Sequence, residues 1–172
     1  MTFVYSDPHF NHHNMACVFT VADGLPARPL RDADHMNRVL LDHYRATVRP
    51  EDTVWWLGDV CFKPTVTLID AIAALPGTRY LILGNHDRES VGRYQRMGFT
   101  KIRSSWQTED MLFTHIPVHP ASLARRGRPW VNVHGHTHTV CYDGPYVNVC
   151  VEHTDYRPLA WSELVKRVEA KR

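Results

Sequence analysis

A mixed α/β fold is what this sequence predicts, and its patterning carries the prediction. Short β-branched and aromatic runs alternate with stretches of helical period over about the first 100 residues, the signature of βα units. From about residue 100 to 151 the strand-like runs follow one another more densely, which predicts a second, more antiparallel layer. The chain has 172 residues, 44% hydrophobic and 22% charged, which suits one globular domain over 1–172 with no internal boundary or repeat.

The first strand is expected at Thr2–Ser6, ending at Asp7. A loop, Ala16–Arg31, carries Gly24, Pro26 and Pro29. Asp34–Arg49 follows as a helix with Met36, Val39, Leu40, His43 and Tyr44 on one face and Asp34 as its N-cap. The next strand is Asp52–Leu57, and the next helix Thr65–Leu75 stops at Pro76-Gly77. Arg79–Leu83 is a strand, Arg88–Met97 a more polar helix closed by Gly98, and Thr100–Arg103 and Asp110–Thr114 are strands. The loop Ile116–Pro129 then leads to strands at Trp130–Val133 and Tyr146–Val151. Trp161, Leu164, Val165 and Val168 form the apolar stripe of a last helix, with Ser162 near its start. The five tryptophans read as layer packing.

Charge and cysteine content narrow the function classes. Twenty Lys+Arg against 18 Asp+Glu leave a formal charge of +2, too balanced for a basic nucleic-acid stripe. No apolar run is long enough to span a membrane, and the first residues lack the basic and apolar regions of a leader peptide. The four cysteines, Cys17, Cys61, Cys141 and Cys150, form no CxxC pair and read as reduced thiols, so a cytoplasmic protein is expected. The 12 histidines are the unusual count.

Many of those histidines fall in five polar clusters, each just where an expected strand stops. These are Asp7-Pro8-His9, Gly58-Asp59, Gly84-Asn85-His86-Asp87, His115 and Gly135-His136-Thr137-His138. Ligand sites of α/β sheets lie beyond the carboxyl ends of strands, so the clusters can converge. One histidine at a strand end is usually structural; five such clusters in the same register point to metal. Carboxylate and imidazole without thiolate suit hard or borderline divalent ions. Asp7, His9, Asp59, Asn85, His115, His136 and His138 are seven candidate ligands, enough for two ions about 3.5–4 Å apart that share a carboxylate.

The ordered blocks Asp7-x-His9, Gly58-Asp59, Gly84-Asn85-His86-Asp87, His115 and Gly135-His136-Thr137-His138 resemble the calcineurin-like metallophosphoesterase superfamily. The opening Asp7–Met15 and the late Val149–His153 with Tyr156–Leu159 further resemble a small phage and bacterial branch. The resemblance implies a four-layer αββα sandwich, two mixed β-sheets inside and helices outside. It implies that Asp7, His9, Asp59 and His138 hold one ion, that Asp59 bridges, and that Asn85, His115 and His136 complete the second. His86 would face the substrate, with Asp87 orienting and charging it, and a hydroxide bridging the ions would attack phosphorus in line. The ions would be two divalent metals (Mn, Fe, Ni, Zn or Mg, with Mn favoured). Two departures stand out: Gly58-Asp59-Val60-Cys61-Phe62 lacks the usual second acid, and no cap domain is evident to select substrate.

The resulting expectation is a metal-dependent hydrolase of phosphate esters, most simply nucleotide-type phosphodiesters. A phosphomonoesterase or phosphoprotein phosphatase of the same superfamily is the alternative. A non-catalytic scaffold is the rival from another class, against which stand His86 and the intact ligand positions. Among residues near the motifs, His12 is the candidate substrate contact, while His13, His119, His134 and His153 read as supporting. Arg125, Arg126 and Arg128 in the Ile116–Pro129 loop are candidates to grip a second phosphate. Oligomeric state is not legible.

Overall fold

The computed structural model describes residues 1–21 and 23–172, so that within the Ala16–Arg31 loop Ala22 lies outside the described residues. In chain order the elements are β1 (Thr2–Tyr5), α1 (His13–Cys17), α2 (Ala33–Thr47), β2 (Thr53–Trp56), α3 (Val66–Ala73), β3 (Thr78–Ile82), α4 (Val91–Arg96) and β4 (Phe99–Arg103). There follow β5 (Ser105–Gln107), β6 (Met111–Thr114), β7 (Val131–His134), β8 (Tyr146–Asn148), β9 (Leu159–Ala160) and α5 (Trp161–Glu169). Short 3-10 turns lie at Pro120–Leu123 and Val151–His153.

Two mixed sheets form. The first has the order β4-β3-β2-β1-β9, with β1 to β4 parallel and β9 antiparallel to β1. The second has the order β5-β6-β7-β8, with β6, β7 and β8 parallel and β5 antiparallel. The period-two alternation of side chains explains how the first sheet serves two cores. Phe3, Tyr5, Val54 and Trp56 point to one face, where they pack with Met36, Leu40 and Tyr44 of α2 and Leu68, Ile69 and Ile72 of α3. Val4 between them points to the other, joining Met111, Phe113, Val131, Val133 and Val147 of the second sheet and Leu164 and Val168 of α5. Two mixed sheets packed face to face with flanking helices, as the family resemblance implied, are thus the fold.

Several boundaries move for local reasons. Helix α2 is capped by Asp32, whose carboxylate accepts the His35 N–H at 2.6 Å, so the cap is not Asp34. Ser162 does not cap α5; Ala160 precedes it without a side-chain bond. Helix α1, β5 and β9 were not expected, since five, three and two residues are too short to carry a period. Arg79, buried in β3, donates to the carbonyls of Ile72 and Ala73 and so closes the end of α3. Four of the five tryptophans pack as expected, Trp56 in the first core and Trp55, Trp106 and Trp161 against the second, while Trp130 joins neither core and donates its Nε1–H to Thr108 O.

Candidate metal centre

Parallel strands put their carboxyl ends on one edge, and both sheets present that edge to the same place. The first sheet delivers Asp7 and His9 beyond β1, Asp59 beyond β2, and Asn85 and His86 beyond β3. The second delivers His115 beyond β6 and His136 and His138 beyond β7. Asp59 stands at the seam, its Oδ2 lying 3.4 Å from His9 Nε2 and 3.3 Å from His115 Nε2. One set of potential ligand atoms, from Asp7, His9 and Asp59, lies within 4.8 Å of one another; a second such set comes from Asp59, His115 and His136. Asp59 belongs to both.

The donor atoms have the chemistry of a ligand shell. Asp7 Oδ1 and His9 Nε2 are buried without a hydrogen-bond partner and lie 3.7 Å apart. Unpaired buried polar atoms are costly, so a pair facing each other fits residues built around a cation. Asp7 Oδ2, by contrast, accepts from Ser6 Oγ at 2.5 Å, His136 N–H at 2.9 Å and Cys150 Sγ at 3.3 Å. Cys150 also falls within ligand distance of Asp7 and His138. It touches the already saturated oxygen, however, which makes it a support for Asp7 and leaves Oδ1 as the coordinating atom.

Titration follows from the same surroundings. Burial works to raise the Asp7 pKa, but the imidazoles of His9, His115 and His138 hold its carboxyl well below the usual range. Asp59 is likewise lowered: burial opposes, and His115 and His9 outweigh it. Burial lowers His9 and His136, favouring the neutral ring that binds metal. His138 and His115 are the exceptions. Burial works to lower His138, but the Glu152 carboxylate raises it. His115 is raised to about 9, where burial works against the rise and the carboxylates of Asp59 and Asp7 prevail. The His115 Nδ1 faces Leu57 O at 2.6 Å and its Nε2 faces Asn85 Oδ1 at 2.9 Å, so both nitrogens meet acceptors.

Close approach fixes two glycines. A Cβ on Gly84 would lie 2.2 Å from Asp59 Oδ1, and one on Gly135 would lie 2.1 Å from Asp7 Oδ2.

Not every expected role fits. Asp87 does not reach the His86 ring; its carboxylate accepts the N–H groups of Asp59, Val60 and Gly84 and the hydroxyl of Tyr94. It fastens the β2 and β3 loops together instead, because three convergent backbone donors outweigh a single imidazole. The arginines also move away from the site. Since β6 and β7 are parallel, their connection must return to the opposite edge. Arg125 therefore donates to Glu109 O and lies 5.2 Å over Trp130, and Arg128 pairs with Asp110 at 3.7 Å. Those contacts sit before β6, about 16 Å of strand away from His115. Arg126, between them in the same turn, goes with them. His12 does reach the site, its ring 5.2 Å from His9 and 6.2 Å from His86.

Two supporting residues have no role assigned from sequence, Glu152 although it lies inside the late Val149–His153 block, and Arg28 in the Ala16–Arg31 loop. Glu152 Oε1 accepts from His138 Nδ1 at 3.0 Å, fixing that ring. Arg28, fully buried, donates to Glu152 at 2.8 Å and to the carbonyls of Asp7 at 2.5 Å and Pro8 at 2.7 Å. A buried guanidinium with a stretch of loop wrapped around it was indistinguishable in sequence from a solvated one.

The family model of the calcineurin-like phosphoesterase superfamily domain matches residues 32–150. The chain belongs to the calcineurin-like phosphoesterase superfamily. Membership places this phosphoesterase among metal-dependent hydrolases of phosphate esters, in keeping with the ligand sets at its sheet edge. It is 27% identical to an uncharacterized protein of Methanocaldococcus jannaschii over 97% of this chain and 90% of that protein. It is also 27% identical to the Gene 66 protein of Mycobacterium phage L5, over 98% of this chain and 91% of that one. A protein of unknown function from Aquifex aeolicus shares the phosphoesterase's fold with a TM-score of 0.67 at 22% identity, covering 97% of this chain and 98% of its own. Among the described residues no helix is long and apolar enough to cross a membrane.

Proposed function

We propose that the protein is a phosphodiesterase whose site holds two divalent ions, acting as one domain over 1–172 on nucleotide-type esters in the reducing cytoplasm. The observation that carries this reading is the shared carboxylate: Asp59 Oδ2 lies within 3.4 Å of imidazoles from both sheets, beside the unpartnered Asp7 Oδ1 and His9 Nε2. Asp7, His9, Asp59 and His138 would hold one ion, and Asp59, Asn85, His115 and His136 the other, with manganese the favoured metal among hard and borderline ions. When bound, the ions polarise the phosphoryl group and bring the pKa of water down to about neutral.

The protein's own groups do the rest. Ser6, Cys150 and the His136 N–H hold the Asp7 carboxylate, and Glu152 holds the His138 ring, so the ligands are preorganised. His86, whose N–H donates to Asp59 Oδ1 at 2.8 Å, carries its ring 5.5 Å from His9, where it can stabilise charge on the phosphoryl oxygens or protonate the departing oxygen. Diesters are favoured over monoesters on charge. Arg28 is consumed beneath the ligands and Arg125 and Arg128 lie at the opposite edge, so the second charge of a monoester would find none of these guanidinium groups.

Turnover of a chromogenic phosphodiester and the matching monoester, with added Mn²⁺ or with EDTA, tests this reading. Faster, EDTA-sensitive diester cleavage is expected. Equal or faster monoester cleavage would transfer the assignment to a phosphomonoesterase, and metal-independent turnover would end it.

A further inference from the structure

We infer that the site takes diesters with an aromatic group on each arm, one lying on a ledge made by Phe62 and His12 and the other in a cleft beside His136. This rests on the phosphoesterase reading and adds the substrate class to it.

The ring contacts order these surfaces. Phe62 stacks on His12 at 4.8 Å, and His12 lies 5.2 Å from His9. His9 meets Asp59, Asp59 meets His115, and His115 lies 5.2 Å from His136. The ledge therefore adjoins one end of the ligand row. At the other end His136 itself lines a cleft of about 610 Å³, walled by Ile116, Pro117, Val118, Tyr142 and Tyr146. That volume is in the range of small-molecule sites, and apolar walls with a few polar groups are their usual lining.

Both surfaces are held open by built contacts. Phe62 is 38% exposed although it is a large apolar side chain. Asn11 Nδ2 donates to the carbonyls of Phe62 and Lys63 at 3.1 and 3.0 Å, with Asn11 and Lys63 both in the left-handed region at φ 62° and 44°. A strained, side-chain-pinned turn that leaves an aromatic ring in water next to the site is the pattern of a binding surface. On the other side Tyr146 Oη donates to Val118 O at 2.8 Å and the Val118 N–H to Asn132 Oδ1 at 2.9 Å, so the cleft wall is fixed while Tyr142 and Ile116 stay 45% and 49% exposed. One apolar surface would serve a monoester. A surface at each end of the ligand row fits a phosphate with two substituents, and ring stacking suits nucleobases, as in a dinucleotide.

Two diesters with the same leaving group isolate the second arm: bis(p-nitrophenyl) phosphate and methyl p-nitrophenyl phosphate. The wild type is expected to prefer the first by about tenfold in kcat/KM, mostly through KM, the scale of one stacked ring. Of Phe62→Ala and Tyr142→Ala, one should abolish that preference and the other should raise KM for both substrates. No preference, or unchanged KM in both variants, overturns the inference. Absence of metal-dependent turnover of any ester would instead count against the phosphoesterase reading. Equilibrium dialysis then decides the surfaces: bis(p-nitrophenyl) phosphate bound more tightly than dimethyl phosphate, and more weakly by both variants, supports them, while equal binding overturns them.

Discussion

Asp7, His9, Asp59, His136 and His138 hold φ of 57°, 51°, 53°, 66° and 47°, the left-handed region that ordinary residues avoid. Asp and His tolerate it better than most, yet each such residue still costs on the order of 1 kcal/mol and persists only where its surroundings fix it. Their coincidence with the proposed ligands is what a preorganised shell looks like at residue scale. His86 differs in kind, since its hydrogen bond to the shell comes from its backbone N–H while its ring stands edge-on to His9. His86→Ala should keep metal content near the wild-type level and lose about 10²–10⁴ in kcat, the worth of one positioned acid or charge stabiliser. Parallel loss of metal, read by elemental analysis, would make His86 a ligand. His115 supplies a pH prediction. With its pKa raised to about 9 it is protonated at neutral pH in the metal-free protein, and an ion must displace the Nε2 proton. Metal affinity should therefore climb as pH rises toward 9 and level off above it, with proton release on binding at pH 7. A titration that is flat from pH 7 to 9 would contradict this.

At the scale of elements, the loops after β2 and β3 are joined by one carboxylate. Asp87→Ala leaves three backbone donors and the Tyr94 hydroxyl without it, for about 2–3 kcal/mol of stability, and frees Asp59 to wander. Weaker metal binding and a lower unfolding midpoint are expected together; normal metal binding with reduced kcat alone would restore Asp87 to its role beside His86. The strand-end clusters were legible in sequence because βα units place polar residues at one edge, and so Asp59, His115 and His136 are found together as their order implied. The direction of the Ile116–Pro129 loop was not. Its start at His115 is local information, whereas its return past Glu109 depends on β6 and β7 being parallel, which no residue in the loop encodes. Arg28 and Glu152 escaped for a related reason: their pairing joins positions 124 residues apart, and neither lies in a periodic run.

Across the whole molecule the site is a seam. Asp7, His9, Asp59 and Asn85 extend from the first sheet and His115, His136 and His138 from the second, while the shared core of Val4, Phe113, Val133 and Leu164 lies between the sheets. Ions bound there would link the layers, so metal and fold should be coupled. At a Mn²⁺ concentration 100-fold above Kd the gain is about 2.7 kcal/mol, or about 5–10 °C in Tm for a chain of this size, and EDTA should reverse it. A Tm indifferent to Mn²⁺ would mean that the folded chain does not bind the ion in preference to the unfolded one.

The central claim is that Asp59 joins two ions in one site, and counting the metal tests it most directly. Equilibrium dialysis against Mn²⁺ followed by elemental analysis should find about two equivalents per chain in the wild type and a loss of both in Asp59→Asn, because one carboxylate balances charge on both ions. Two equivalents retained by Asp59→Asn, in a variant that unfolds like the metal-free wild type, would contradict the account.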